Sequence, residues 1–93
     1  FLVLELLERA AIDLGLPSEL ARNLAIETGY GATLLARQSN EDPATLRKQV
    51  TSPGGTTERA LKIFDDAGLS TIIMNALRAA RDRSIELARQ LDN

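Results

Sequence analysis

A chain of 93 residues with 44% hydrophobic side chains has the size and composition of one small globular domain, and it is too apolar for a disordered segment. Its 11 basic and 13 acidic residues give a net charge of -2, which argues against a clustered basic surface for nucleic acid. The chain has neither cysteine nor histidine, which excludes disulfides, thiol catalysis, zinc ligation by Cys or His, and imidazole acid–base chemistry. A reducing cytoplasm is compatible with this composition.

The first predicted helix covers about residues 1–14. Its apolar run could be mistaken for a signal peptide or a membrane span, but Glu5, Glu8 and Arg9 interrupt it early. No Ser, Thr, Asp or Asn precedes the first turn to cap it. We therefore expect that Phe1 lies inside a longer protein.

Helix two is predicted over about residues 18–38, after a stop at Gly15-Leu16-Pro17 and with Ser18 as its N-cap. Two glycines, Gly29 and Gly31, lie inside this helix, where each costs about 1 kcal/mol relative to alanine. They permit close backbone approach at a helix crossing, such as an interface. The alternative that the sequence leaves open is a locally weak helix near Tyr30.

Three further helices are predicted at about residues 43–50, 57–67 and 71–91. Asp42 precedes Pro43, which gives an N-cap followed by proline at the first helical position, where its missing N–H has no cost. Gly68 is a suitable left-handed stop for the fourth helix. Ser70 is the predicted N-cap of the last helix.

The fold class is therefore all-α, a small domain of about five helices, because the apolar spacing is helical throughout and no useful period-2 alternation occurs. The apolar faces are broad for so short a chain. This favours burial against a second copy, and a self-contained helical bundle is the alternative.

The sequence SPGGTT interrupts this helical pattern. Pro53 restricts the loop, while Gly54 and Gly55 can adopt positive φ and allow another molecule to approach the backbone. Thr56 and Thr57 follow where a helix begins, with unpaired N–H groups and hydroxyls. Such a helix N-terminus can bind a carboxylate or phosphate, although the segment lacks the lysine and spacing of a nucleotide P-loop. An interhelical turn with a threonine cap is an equally good interpretation of the pattern alone.

The other polar side chains do not indicate a catalytic or binding site. The adjacent carboxylates at Glu41-Asp42 and Asp65-Asp66 diverge on a helix, and the arginines of the last helix alternate with acids as on a solvated face. We predict no metal site, no nucleic-acid surface and no membrane span.

The segment QVTSPGGTT, residues 49–57, closely resembles the signature of the pyrroline-5-carboxylate reductase family. Further agreement in order and spacing comes from LGLPSELA at 14–21, DPATLRKQV at 42–50 and ARDRSIEL at 80–87, so the resemblance covers the whole chain. The nine-residue signature is the specific part, because each flanking match alone is weak.

This resemblance implies an enzyme that reduces pyrroline-5-carboxylate to L-proline with NADPH or NADH. Members have an N-terminal Rossmann domain and a C-terminal helical domain that interlocks with its two-fold partner. Residues 1–93 would be the C-terminal dimerisation and substrate-binding domain of a homodimer, inactive alone, and the Gly-rich dinucleotide fingerprint would lie outside this chain. The preferred cofactor and any assembly beyond the dimer stay open.

The resemblance also implies residue roles. Ser52 and the backbone amides of Gly55, Thr56 and Thr57 would hold the substrate carboxylate. The Thr57 hydroxyl would lie near the ring nitrogen that gains a proton, which makes Thr57 the catalytic candidate. Gln49 would touch the cofactor, although some relatives carry Asn there. Gly29 replaces the larger residue expected from the family.

Two alternatives stay open at this stage. The chain could be a non-catalytic helical dimerisation module in which the Pro-Gly-Gly corner is only a turn. It could also belong to another member of the wider dehydrogenase group that shares helical dimer domains.

Overall fold

The structure, a computed structural model, describes residues 1–92 and contains five α-helices in this part of the chain. They are α1 (Leu2–Asp13), α2 (Ser18–Gln38), α3 (Pro43–Gln49), α4 (Thr56–Asp66) and α5 (Leu69–Asp92). No strand occurs in residues 1–92, so the all-α prediction is confirmed. None of these helices combines the length and the apolarity needed to cross a membrane. The chain divides into two compact units, Phe1–Lys48 and the segment from Gln49 onward, which are described separately.

The end of α1 explains why Gly15 stops the helix. Gly15 has a φ of 105°, in the left-handed region, and its amide donates to the Ile12 carbonyl oxygen (2.9 Å). The amide of Leu16 reaches back to the Ala11 carbonyl oxygen (3.1 Å). These two bonds form a Schellman motif, in which only glycine adopts the required backbone conformation without strain.

The start of α2 corrects one sequence-based prediction. Ser18 is the first helical residue and not the N-cap, because the capping position is occupied by Pro17 without a side-chain hydrogen bond. Pro17 has the extended ψ of 146° that an N-cap requires, and its carbonyl oxygen accepts the Ala21 amide (2.9 Å). The proline that ends the preceding turn therefore also begins the helix.

The predicted N-cap Ser70 is also wrong, because α5 begins one residue earlier, at Leu69. Gly68 has a φ of 79°, as predicted for the stop of α4. Its carbonyl oxygen accepts the amide of Ile72 (3.0 Å), which is the first turn of α5. Gly68 thus ends one helix and starts the next, and Ser70 lies within the first turn.

The cap of α3 is as predicted. The Thr45 amide donates to Asp42 Oδ1 at 2.8 Å, and Pro43 occupies the first helical position. This backbone hydrogen bond, together with one from the Thr45 side chain, lowers the pKa of the exposed Asp42 carboxyl below its ordinary value of 3.8. The carboxylate form is therefore the one that caps the helix.

In the first unit, α1 packs against a row of small residues on α2. Ala21 and Ala25 are buried, and Gly29 follows four residues later on the same helical face. A Cβ added to Gly29 would lie 3.2 Å from Leu4 Cδ2, whereas one added to Gly31 would meet no atom within 4 Å. Gly29 thus permits the close approach of two helices of the same chain, which accounts for the smaller residue at this position.

In the second unit, α4 packs against α5, and none of the residues described there is buried. Large apolar side chains stay in contact with solvent: Ile63 is 63% exposed, Ile72 59% and Leu77 66%. The apolar face of α5 therefore lacks a covering layer within the described part of the chain, as the broad stripes in the sequence indicated.

Candidate functional site

The SPGGTT corner connects α3 to α4 through a tight turn. Pro53 and Gly54 occupy its two central positions, and the Gly55 amide donates to the Ser52 carbonyl oxygen (3.0 Å). Gly54 has a φ of 72°, and a left-handed residue after proline is the arrangement of a type II turn. An L-residue at Gly54 would be strained by this φ.

Gly55 serves a different purpose from Gly54. It is the N-cap of α4, with an extended conformation (φ -85°, ψ -179°) that any residue can adopt. A Cβ at Gly55, however, would lie 3.1 Å from the Ser52 carbonyl oxygen, a backbone atom that cannot move independently. Only one of the two glycines is therefore required for its positive φ, and the other is required for its lack of a side chain.

The first turn of α4 presents amides without an acceptor. Among the described residues, no acceptor lies in hydrogen-bond geometry with the N–H groups of Thr56, Thr57 or Glu58. The first amide of the regular ladder is that of Arg59, which donates to the Gly55 carbonyl oxygen (3.2 Å). Because these amides lie at the positive end of the helix dipole, the geometry is that of an anion-binding N-terminus.

The alternative of a threonine-capped turn is not what forms here. The N-cap is Gly55, and no side chain caps the helix at that position. Thr56 and Thr57 are the first two helical residues, and Thr57 is half-buried whereas Thr56 is exposed. Neither hydroxyl takes a backbone partner in the described part of the chain, so both are available to a ligand.

The Gly55 amide is hydrogen-bonded within the chain, whereas the amides of Thr56 and Thr57 are not. The family resemblance implied that the amides of Gly55, Thr56 and Thr57 act together on an anion. The Gly55 amide is already bonded to the Ser52 carbonyl oxygen, so an anion would have to share it. The amides that the structure leaves unpaired are those of Thr56 and Thr57, followed by Glu58.

The remaining candidates lie around this corner. Gln49 is the last residue of α3, and Ser52 is exposed at the first position of the turn. Both belong to the same compact unit as Thr57. The turn therefore brings Ser52 to the start of α4 through the bond between its carbonyl oxygen and Gly55.

Sequence analysis missed Glu58. Its Oε1 accepts the Gly54 amide (3.2 Å), so both glycine amides of the corner are engaged within the chain. A glutamate three residues after an N-cap has the spacing of a capping box, in which the side chain accepts the N-cap amide, but Glu58 accepts the amide one residue before the N-cap. That spacing, from Gly55 to Glu58, was the signal that could have identified it.

Some of the other charged groups form surface ion pairs. Lys62 Nζ lies 2.9 Å from Asp66 Oδ2, and Arg83 Nη1 lies 2.9 Å from Glu86 Oε2, all with side chains more than half exposed. Such pairs contribute little to stability. Within residues 1–92 no group of three or more Asp or Glu side chains is arranged to hold a metal ion.

A family model described as pyrroline-5-carboxylate reductase dimerisation matches residues 1–87. The chain belongs to this family. The resemblance noted in the sequence is therefore confirmed, and residues 1–87 correspond to a dimerisation domain.

Relatives within the family agree along nearly the whole chain. The pyrroline-5-carboxylate reductase of Pseudomonas aeruginosa is 45% identical over 91 residues, which cover 98% of this chain and 33% of that protein. Pyrroline-5-carboxylate reductase 2 of Bacillus subtilis is 39% identical over 87 residues, covering 94% and 31% respectively. This chain thus spans about a third of the length of the relatives it matches.

Solved structures show the same arrangement of helices. A pyrroline-5-carboxylate reductase from Coxiella burnetii is 42% identical with a TM-score of 0.89, over 94% of this chain and 32% of that one. The pyrroline carboxylate reductase of Plasmodium falciparum, solved with NADP bound, is 31% identical with a TM-score of 0.87, over 89% and 32%. The fold of a reductase dimerisation domain is therefore shared.

Proposed function

We propose that this chain is the C-terminal, dimerising part of an enzyme that reduces pyrroline-5-carboxylate to L-proline with NADPH or NADH in proline biosynthesis. The observation that carries the proposal is the pair of unpaired amides of Thr56 and Thr57, which lie within the segment that resembles the family signature. The names of the relatives and the NADP in one solved structure support the same assignment. The same proposal places the enzyme in the cytoplasm.

The substrate carboxylate binds at the start of α4 in this proposal. The Thr56 and Thr57 amides donate to it, and the helix dipole favours its negative charge. The exposed Ser52 hydroxyl is a further donor, because the turn ties this residue to Gly55. Hydrogen bonds to a charged group are shorter and about twice as strong as neutral ones, so this site fixes the substrate by its carboxylate.

The Thr57 hydroxyl then orients the ring nitrogen of the substrate in this proposal. Thr57 is a half-buried residue that contributes both an amide to the proposed carboxylate site and a side-chain hydroxyl. A five-membered ring held by its carboxylate has its nitrogen only a few bonds away. As the family resemblance implies, the Thr57 hydroxyl bonds in this proposal to the ring nitrogen, the atom that gains a proton as the adjacent carbon is reduced.

The cofactor is held mainly by residues outside this chain. A dinucleotide fingerprint needs a strand followed by a Gly-rich turn and a helix, and residues 1–92 contain no strand. When bound, NADPH or NADH supplies the hydride. The contribution of this chain is limited to Gln49 at the end of α3, whose amide side chain can donate to the cofactor or accept from it.

The protein acts as a homodimer, which supplies the covering layer that the second unit lacks. Ile63, Ile72 and Leu77 are each more than half exposed in a single chain, and burying one such side chain stabilises by roughly 1.5–3 kcal/mol. An interlocked two-fold arrangement would bury them on both copies. The isolated fragment would dimerise without reducing the substrate.

The test is a steady-state assay of the full-length protein that follows oxidation of NADPH or NADH with pyrroline-5-carboxylate as substrate. Other cyclic imino acids and 2-oxo acids are assayed in parallel to separate related dehydrogenase activities. Thr57→Ala is expected to lower kcat roughly 10- to 100-fold, because an orienting hydroxyl is lost at the reacting nitrogen. Thr57→Ser retains the hydroxyl and recovers most of the activity.

Thr71→Ala serves as the matched control, since it removes a hydroxyl from the first turn of a different helix. Sedimentation of each variant checks that the dimer persists. Unchanged kinetics for Thr57→Ala would remove Thr57 from the site. A full-length protein that dimerises but turns over none of these substrates would instead favour the non-catalytic dimerisation module.

A further inference from the structure

Glu58 occupies an unusual position beside the proposed carboxylate site. It is the third residue of α4, and its side chain reaches back over the turn to accept the Gly54 amide at Oε1 (3.2 Å). Its own backbone amide is the third of the unpaired N–H groups at the helix start. A negative side chain thus lies next to the amides that are proposed to bind a negative substrate.

The hydrogen bond from Gly54 stabilises a turn that has few other restraints. Within SPGGTT, the other bond of the turn joins the Gly55 amide to the Ser52 carbonyl oxygen. Glycine has more backbone freedom to lose than any other residue, so two consecutive glycines need tertiary or side-chain restraints to stay in one conformation. The Glu58 side chain supplies such a restraint by linking the left-handed Gly54 to the first turn of the helix.

The negative charge of Glu58 has two opposing effects. It repels a substrate carboxylate at the same helix end, but its hydrogen bond preserves the turn that presents the Thr56 and Thr57 amides. Because Glu58 is exposed, the high dielectric constant of water weakens this repulsion. The hydrogen bond is exposed as well, but it restrains the turn directly, so we expect its effect on the geometry of the turn to be the larger one.

We propose that Glu58 is a positioning residue for substrate binding, which holds the Gly54 corner in the conformation that leaves the Thr56 and Thr57 amides unpaired. This inference rests on the proposed function, since it concerns the same carboxylate site. Glu58 acts through the turn and makes no contact with the reacting atoms.

The test measures KM for pyrroline-5-carboxylate and kcat in the full-length enzyme for three substitutions of Glu58. Glu58→Ala removes the acceptor and is expected to raise KM about three- to tenfold with kcat within about twofold, because the hydrogen bond that restrains the Gly54 amide is lost. Glu58→Gln keeps an oxygen acceptor at the same reach and is expected to restore KM to within about twofold of the wild type. Glu58→Asp keeps the charge but is one methylene too short, so it is expected to resemble Glu58→Ala.

Glu19→Ala is the control, because Glu19 is an acidic residue in the first turn of α2 and the substitution makes the same change in net charge. It is expected to leave KM unchanged. Thermal unfolding of every variant is recorded, and the comparison of Glu58→Gln with Glu58→Asp decides the question even where Glu58→Ala is poorly folded.

Three results would overturn the inference. The first is a KM for Glu58→Ala or Glu58→Asp equal to that of the wild type. The second is a KM for Glu58→Gln as high as that for Glu58→Ala. The third is a KM below that of the wild type for both Glu58→Ala and Glu58→Gln. The last result would mean that repulsion outweighs positioning. Failure of the proposed function is distinguishable, because the wild-type protein itself would then show no turnover of pyrroline-5-carboxylate.

Discussion

Substitution of Gly29 by alanine tests whether α1 and α2 approach as closely as the structure shows. In most exposed helix interiors, Gly→Ala stabilises by about 1 kcal/mol because alanine loses less backbone entropy. At Gly29, however, the new Cβ would lie 3.2 Å from Leu4 Cδ2, closer than ordinary van der Waals contact. The neighbouring side chain must move by a few tenths of an ångström to accommodate it.

The expected change in the free energy of unfolding combines the cost of overpacking and the gain in helix propensity. Overpacking typically costs about 1–3 kcal/mol, and the lower end applies because Leu4 is only half-buried and its Cδ2 is a side-chain terminus. This cost cancels the gain in helix propensity, so Gly29→Ala is expected to change the free energy of unfolding by less than about 0.5 kcal/mol. In a Leu4→Ala background the clash is gone, and the same substitution is expected to stabilise by about 1 kcal/mol.

The assay is a double-mutant cycle measured by urea unfolding, with all variants at the same protomer concentration because association changes apparent stability. The expected coupling energy between Gly29→Ala and Leu4→Ala is about 0.5–1.5 kcal/mol. Gly31→Ala provides the matched control. No atom lies within 4 Å of a Cβ at that position, so its effect is expected to be independent of Leu4.

A coupling energy below about 0.3 kcal/mol for Gly29, the additivity typical of independent sites, would contradict the close approach of the two helices. Equal coupling of Gly31 and Gly29 to Leu4 would contradict it as well, since only one of the two glycines faces that side chain.

Three further outcomes are expected. Asp42→Ala should destabilise the protein at neutral pH. Because the pKa of Asp42 is lowered in the folded state, its contribution to stability is present above the ordinary pKa of 3.8 and is lost as the pH falls through the lowered value. The free energies of unfolding of the wild type and the variant, measured with urea, should therefore converge at acid pH. Gly54→Ala should reduce the free energy of unfolding by about 1–2 kcal/mol, measured by thermal unfolding, because alanine is strained at a φ of 72°. Leu77→Asn should raise the dimer dissociation constant at least about tenfold in sedimentation equilibrium, because it removes an apolar side chain from the proposed interface. The control Arg78→Asn should leave the dissociation constant unchanged. Equal effects of the two substitutions would place the interface elsewhere.

The helices could be predicted from the sequence because proline and glycine mark their boundaries. Asp42 before Pro43 and the left-handed Gly68 were identified from local chemistry, and the structure confirms both. Ser18 and Ser70 were misassigned as caps for the same reason in each case. Pro17, one residue before Ser18, and Gly68, two residues before Ser70, already provide the carbonyl that accepts the first helical hydrogen bond, and residue preference alone does not reveal this.

The site could be predicted less completely than the helices. The SPGGTT pattern located the helix start and its unpaired amides, because these depend on residue types with fixed conformational preferences. The engagement of the Gly55 amide by Ser52 and of the Gly54 amide by Glu58 depends on the three-dimensional course of the turn. The purpose of Gly29 was likewise undecided, since its neighbour Leu4 is distant in the sequence.

The short connection between α4 and α5 joins the helix that carries the proposed carboxylate site to the helix whose exposed apolar face is proposed to contact a second copy. Only Ala67 and Gly68 separate the two helices, and α4 has 11 residues, so about 16 Å of continuous helix joins its first amides to this junction. If the proposed partner copy restrains α5, it also restrains this two-residue junction and, through α4, the proposed carboxylate site. Substrate affinity at the proposed carboxylate site should then depend on whether the second copy is present.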